Sequence, residues 1–122
     1  MPTFERGDVV RVPFPYTDRG VRQHRPALVV SDGAIGDGGT LLWVLMITSA
    51  ENQPWPGDVA LAKRHMQAGL PAPSLVRTAK IATIEARHAD PIGRLGKRIM
   101  AEVDAAVRRH VNLRFARGER NG

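Results

Sequence analysis

No cysteine occurs anywhere in the chain. Disulfides and thiolate metal sites are thereby excluded, and a cytoplasmic setting is expected. No apolar run approaches the about 18 to 20 residues that a membrane-spanning helix needs. The longest, Leu41 to Ile47, has the length of a strand. The opening, Met1 to Arg11, is mixed and charged, which is not the pattern of a signal peptide. Also missing are a P-loop, a G-x-S-x-G elbow, an H-E-x-x-H pair and a Cys/His cluster. His24, His65, His88 and His110 stand far apart in sequence, and Asp32 and Asp37 lie in a glycine-rich turn. Paired carboxylates for two-metal phosphoryl transfer are therefore not evident. The expectation is a site without metal or cofactor.

What the chain does have is a surplus of positive charge. Its 122 residues suit one domain, and 18 basic against 12 acidic residues give a net charge of +6. Such a balance fits a polyanionic partner, or is simply an excess of solvated arginines. Arg108, Arg109, Arg114, Arg117 and Arg120 crowd the last fifteen residues.

Hydrophobic patterning divides the chain into strands and one helix. Val9 to Phe14 reads as a first strand: β-branched residues dominate it, Gly7 precedes it and Pro13 and Pro15 break it. Tyr16 to His24 is polar and contains glycine, the pattern of a mobile loop. Pro26 to Ser31 is apolar nearly throughout, which suits a strand buried on both faces. Leu41 to Thr48, Asp58 to Leu61 and Leu75 to Ile84 complete five strands, with a proline-flanked loop around Trp55 between the third and fourth. From Lys97 to Leu113, apolar groups at Ile99, Val103, Ala106, Val107 and Val111, with His110, follow helical spacing. Five strands and a helix predict a small, closed or half-closed antiparallel barrel covered by a C-terminal helix. The domain is expected to span residues 1–115, with a basic tail at 116–122.

A metal-free nuclease can use the 2′-hydroxyl of RNA as its nucleophile. The protein must then hold the phosphate in line, accept the 2′ proton, offset charge on the non-bridging oxygens and protonate the leaving oxygen. Arg25, where the loop becomes a buried strand, carries a guanidinium fork suited to phosphate oxygens; it reads equally as a strand-edge cap. Thr48 and Ser49 put two hydroxyls at the end of the third strand, either at a barrel mouth or as plain strand-ending polar residues.

The run Arg6 to Asp18, then Arg25 to Ser31, Ile47-Thr48-Ser49, Gly57 to Leu61, Gly69-Leu70, Ser74 to Arg77 and Ile92 to Leu95 resembles, in order and spacing, the MazF/PemK toxins. The resemblance covers nearly the whole chain, Arg6 to Leu113. It implies an SH3-like antiparallel β-barrel with a covering C-terminal helix, a homodimer, and endonucleolytic cleavage of single-stranded RNA such as mRNA. The implied products carry 2′,3′-cyclic phosphate and 5′-hydroxyl ends, and a cognate antitoxin blocks the groove. It also implies that Arg25 stabilises the phosphate and gives up a proton, and that Thr48 steadies the transition state.

The base is less clear from the resemblance. Relatives often carry Glu or His in the first loop, where this chain has Asp18 and His24; an acid that some place two residues after Arg77 is here Ala79. His24 is taken as the base. Tyr16 and Trp55 are candidates to stack on bases, and Arg22, Ser49, Arg77 and Lys80 to contact RNA. Tyr16 and Trp55 equally read as loop anchors, and Arg77 and Lys80 as a solvated strand face. Two other functions stay open: a protein-targeting toxin on the same barrel, like the gyrase poison CcdB, and a basic barrel that binds nucleic acid without cutting it.

Overall fold

The structure, a computed structural model, describes residues 3–16 and 21–112. The expected tail at 116–122, the loop residues 17–20 with Asp18, and the side chains of Tyr16 and Arg22 lie outside what it describes. Among the described residues, β1 (Asp8–Tyr16), β2 (Val21–Val29), β3 (Leu41–Ser49), β4 (Val59–Ala60), β5 (Ser74–Glu85) and β6 (Asp90–Arg94) precede one α-helix, α1 (Lys97–Val111). The strands form a curled antiparallel sheet in the order β4-β5-β3-β2-β1-β6. This is the expected mainly-β half-barrel with a C-terminal helix, built from six strands rather than five. None of the described helices is long and apolar enough to cross a membrane.

Successive side chains on a strand point to opposite faces, and here both faces are apolar. Val9, Leu28, Leu45 and Ile47 pack on one side with Ile99, Met100 and Val103 of α1. Their neighbours Val10, Val12, Ala27, Val29, Leu42, Val44 and Met46 pack on the other with Phe4 and Ala86. The near-continuous apolar runs of β2 and β3 follow from this double burial.

Curling has a local cause in β5. Its register with β3 jumps from Leu45↔Ile81 to Met46↔Arg77, so Thr78, Ala79 and Lys80 have no partner on β3. Extra residues on one strand bend it and increase its twist.

Two boundaries differ from the sequence expectation. The hairpin of β1 and β2 pairs out to Tyr16↔Val21, so the polar residues Arg22 to His24 are strand, not loop. β6 escapes a sequence reading because Pro91 and Gly93 are poor strand residues. It forms as an edge strand on β1, where a proline is tolerated.

The helix buries Ile99, Met100, Val103 and Ala106 and ends at Asn112, which takes the left-handed conformation (φ 57°) and donates its N–H to the carbonyls of Arg108 and Arg109. Val111 is out of the apolar stripe and exposed. His110 instead reaches the loop before β4. Thr78 Oγ1 donates its one hydrogen to the Gly57 carbonyl at 2.7 Å, so His110 Nε2 is the donor in its 2.9 Å contact with Thr78. An Arg6–Asp104 ion pair ties the N-terminal segment to the same helix.

One close approach sets the position of the segment after β4. A Cβ on Gly93 would lie 2.2 Å from the carbonyl carbon of Ala68, and one on Gly69 would lie 1.9 Å from the Ile92 oxygen. β6 and the turn at residues 68–70 therefore touch backbone to backbone, which only glycine allows. Gly93→Ala is expected to destabilise the fold by about 2 to 4 kcal/mol, read as a lower urea midpoint. Gly96→Ser, where a Cβ meets nothing within 4 Å and the helix N-cap accepts serine, should shift stability by less than about 0.5 kcal/mol.

Candidate active site

The ladder between β2 and β3 covers only Val29↔Val44, Leu28↔Leu45 and Ala27↔Met46. Pro26, next in β2, has no N–H with which to continue it. Beyond this point the two strands part and a cleft opens. The same register, carried on, sets Arg25 level with Thr48.

The cleft has a volume of about 380 Å³. Arg11, His24 and Arg25 bound it from the hairpin, Thr48, Ser49 and Asn52 from the end of β3 and the following turn, and Leu70, Pro71, Ala72 and Pro73 from the segment that Gly69 and Gly93 hold in place. Ile47 and Pro26 also line it. Among the described residues that line it there is no carboxylate. Nor do any three described His, Cys, Asp or Glu residues group as metal ligands would. The lining joins cations from the hairpin, hydroxyls and an amide from the end of β3 and its turn, and an apolar segment, which suits a phosphate beside a base.

Each polar group is placed by local structure. His24 and Arg25 stand on β2 opposite Pro13 and Val12 of β1; His24 is exposed and Arg25 half-buried. Arg11 is one position from that pair, opposite Pro26. Thr48 pairs with Leu75 of β5 and is half-buried. Its Oγ1 accepts a 2.5 Å hydrogen bond from Asn52 Nδ2. The turn that carries Asn52 is fixed by Ala50 N–H to Pro73 O at 3.0 Å, Asn52 N–H to Ser49 O at 3.1 Å and Glu51 N–H to Ser49 Oγ at 3.1 Å.

The structure thus brings His24, Arg25, Thr48 and Ser49 to one cleft. It does not bring Arg77, Lys80 or Trp55 there. Arg77 is neither an open phosphate contact nor part of a solvated face: its side chain is 10% exposed. The guanidinium lies 3.2 Å from Asp58, donates to the Gln53 carbonyl at 2.8 Å and sits 4.1 Å under the Trp55 ring. Asp58 also accepts the Trp55 N–H at 2.9 Å. Trp55 is half-exposed above this pair, so its first role is as the cover of a buried cation. Lys80 is exposed in the bend of β5. Sequence reasoning missed Arg11, Asn52 and the Leu70–Pro73 wall. An asparagine in a turn four residues after a strand-ending hydroxyl was the available signal for Asn52.

A family model described as PemK-like, MazF-like toxin of type II toxin-antitoxin system matches residues 5–111. No curated protein is a significant sequence match. Among solved structures, a MazF from Deinococcus radiodurans is 22% identical with a TM-score of 0.73, covering 93% of this chain and 100% of that one. MazF in a MazE–MazF complex from the same organism gives 22% and 0.70 over 93% and 100%. A mycobacterial endoribonuclease solved with its cognate antitoxin gives 21% and 0.70 over 94% and 99%. At these identities the likeness is one of fold.

Replacing Arg77 by Met strands a buried Asp58 carboxylate. A loss of about 3 to 5 kcal/mol in urea unfolding is expected, with part of it recovered when Asp58→Asn is added. Lys80→Met should change stability by less than about 0.5 kcal/mol.

Proposed function

The chain belongs to the PemK-like, MazF-like toxins of type II toxin–antitoxin systems, and we propose that it acts as an endoribonuclease that cuts single-stranded RNA, such as mRNA, in the cleft between β2 and β3 without a metal ion. The observation that carries this reading is the convergence of Arg25, His24 and Thr48 on one cleft whose described lining holds no carboxylate. Those side chains come from two strands that part at that point. The likeness in fold to a mycobacterial endoribonuclease agrees with it.

The reaction requires no group beyond these residues and the RNA. A phosphate seated between Arg25 and Thr48 has its non-bridging oxygens facing one guanidinium and one hydroxyl, which offset the charge that grows there. His24 accepts the proton of the adjacent 2′-hydroxyl. The O2′–P bond forms and the P–O5′ bond breaks, leaving a 2′,3′-cyclic phosphate. The departing 5′-oxygen takes up a proton from Arg25, and the proton held by His24 passes back through solvent to recharge the guanidinium. Arg11 extends the positive wall along the strand, and the Leu70–Pro73 wall and Ser49 bound the space beside the phosphate. A net charge of +6 adds a salt-dependent attraction for the polyanion.

The partners follow from the same reading. We assign to this chain a cognate antitoxin that covers the cleft and a homodimeric state; structural relatives have been solved as MazE–MazF and with a cognate antitoxin.

The test is incubation of the purified protein with a long unstructured RNA in excess EDTA, with the cut ends mapped. Discrete cuts bearing 5′-hydroxyl ends are expected. Arg25→Ala should lower the rate by about 10² to 10³ or more while leaving the urea midpoint near that of the wild type. Loss of cutting in EDTA removes the metal-free mechanism. Native-rate cutting by Arg25→Ala removes Arg25 from it.

A further inference from the structure

We propose that Asn52 is a positioning residue for Thr48, holding the threonine hydroxyl so that its hydrogen faces the phosphate; this rests on the cleavage reading above. A hydroxyl has one hydrogen and two lone pairs, and an asparagine Nδ2 can only donate. The 2.5 Å bond from Asn52 Nδ2 therefore occupies a lone pair of Thr48 Oγ1. The hydrogen of Thr48 must point elsewhere, and both residues line the cleft. Non-bridging phosphate oxygens are acceptors only. A hydroxyl can offset their charge only by presenting its hydrogen, and accepting a bond at the same oxygen strengthens it as a donor.

The backbone around Asn52 is held from both sides. On the N-terminal side, Ala50 bonds to Pro73 and Asn52 to Ser49. On the C-terminal side, the carbonyl of the very next residue, Gln53, accepts from Arg77. Arg77 is itself fixed by Asp58 and covered by Trp55. A buried ion pair outside the cleft thus reaches the cleft through Gln53, Asn52 and Thr48.

The chemistry separates this role from simple packing. In Asn52→Asp the group facing Thr48 becomes an acceptor. It takes the Thr48 hydrogen and turns it away from the phosphate, with almost no change in size.

The experiment uses an RNA oligonucleotide carrying a mapped cut site, and the same oligonucleotide with a 2′-deoxy sugar at that site as an uncleavable probe. Single-turnover rates and probe affinities are measured for Asn52→Ala, Thr48→Val, the double variant and Asn52→Asp, with urea midpoints beside them. Thr48→Val is expected to slow cleavage about 10²-fold, and Asn52→Ala about tenfold, the worth of one oriented hydrogen bond. The double variant should be no slower than Thr48→Val alone. Probe affinity of Asn52→Ala should stay within about twofold of wild type. Asn52→Asp should be slower than Asn52→Ala at neutral pH and regain rate, relative to wild type, as the new carboxyl is protonated and can donate again.

Multiplicative losses in the double variant would overturn the proposal, as would an Asn52→Ala defect confined to probe affinity or an Asn52→Asp variant as fast as wild type. In those cases the wild type still cuts, and the cleavage reading stands. A folded wild type that cuts no RNA removes both.

Discussion

A guanidinium that is nine-tenths buried has to be neutralised and hydrogen-bonded where it lies, and Arg77 does so at Nη2 through the segment that closes over it. Asp58 supplies the charge, the Gln53 carbonyl accepts from it, and the Trp55 ring covers it. These partners all come from a stretch rich in proline and polar residues, with no apolar stripe of its own to fold on. The ion pair thus does for this loop what a hydrophobic face does for a strand. The same loop presents Asn52 to Thr48, so the cleft wall is tied to a charge pair that lies outside the cleft. Breaking such a pair is far more damaging than never having had one, because the remaining charge stays buried.

The cleft itself comes from a conflict between pairing and curvature. β3 is bound to β5 along its whole length, from Leu41↔Glu85 to Ser49↔Ser74, but to β2 over three residues only. β2 in turn stays with β1 as far as Tyr16↔Val21. Past Ala27↔Met46 the sheet therefore parts into two ribbons that diverge, β1–β2 carrying His24 and Arg25 and β3–β5–β4 carrying Thr48 and Ser49. Hydrophobic packing on both faces holds the ribbons together below the fork, with Ile47 at the floor of the opening. Rigid strands thereby hold Arg25 and Thr48 from opposite sides, which is the form of preorganisation that electrostatic catalysis uses.

What could be read from sequence follows the same physics. Val9-Val10, Ala27-Leu28-Val29 and Leu41 to Ile47 are legible as strands because burial on both faces leaves no polar interruption. The helix is legible from Ile99, Val103 and Ala106, whose spacing is local. β6 is not, since it exists by virtue of the free edge of β1 and the contact of Gly93 with Ala68, both remote in sequence. Arg77 misleads for a related reason. It follows Val76 in an alternating run, so it reads as outward-facing, but the first half of β5 is buried on both faces, Val76 in the core and Arg77 under the Trp55 loop. Arg25 and Thr48 stand out in the sequence by their chemistry and by a family pattern, and the fork in the sheet supplies the reason those two positions meet. For Asn52 the sequence offers only a turn asparagine four residues after a strand-ending hydroxyl, and the turn geometry that brings position 52 back to position 48 gives that spacing its meaning.

The absence of a described carboxylate in the cleft bears on regulation as well as on chemistry. A wall of Arg11 and Arg25 facing hydroxyls and an amide attracts any chain that presents negative charge, whether phosphates or acidic side chains. The apolar Leu70–Pro73 wall opposite accepts a nucleobase or a hydrophobic side chain on equal terms. A surface built from these two features can take RNA, and an acidic, amphipathic protein segment can occupy it as well, without any contact unique to the inhibitor. Inhibition by occupancy needs no conformational change in the toxin. It needs only that the protein segment bury more of the apolar wall than a base does, since charge alone favours the more highly charged RNA. The division of the cleft into a cationic side and a proline-lined side makes that distinction available, and the backbone contact of Gly69 and Gly93 keeps the apolar side in place.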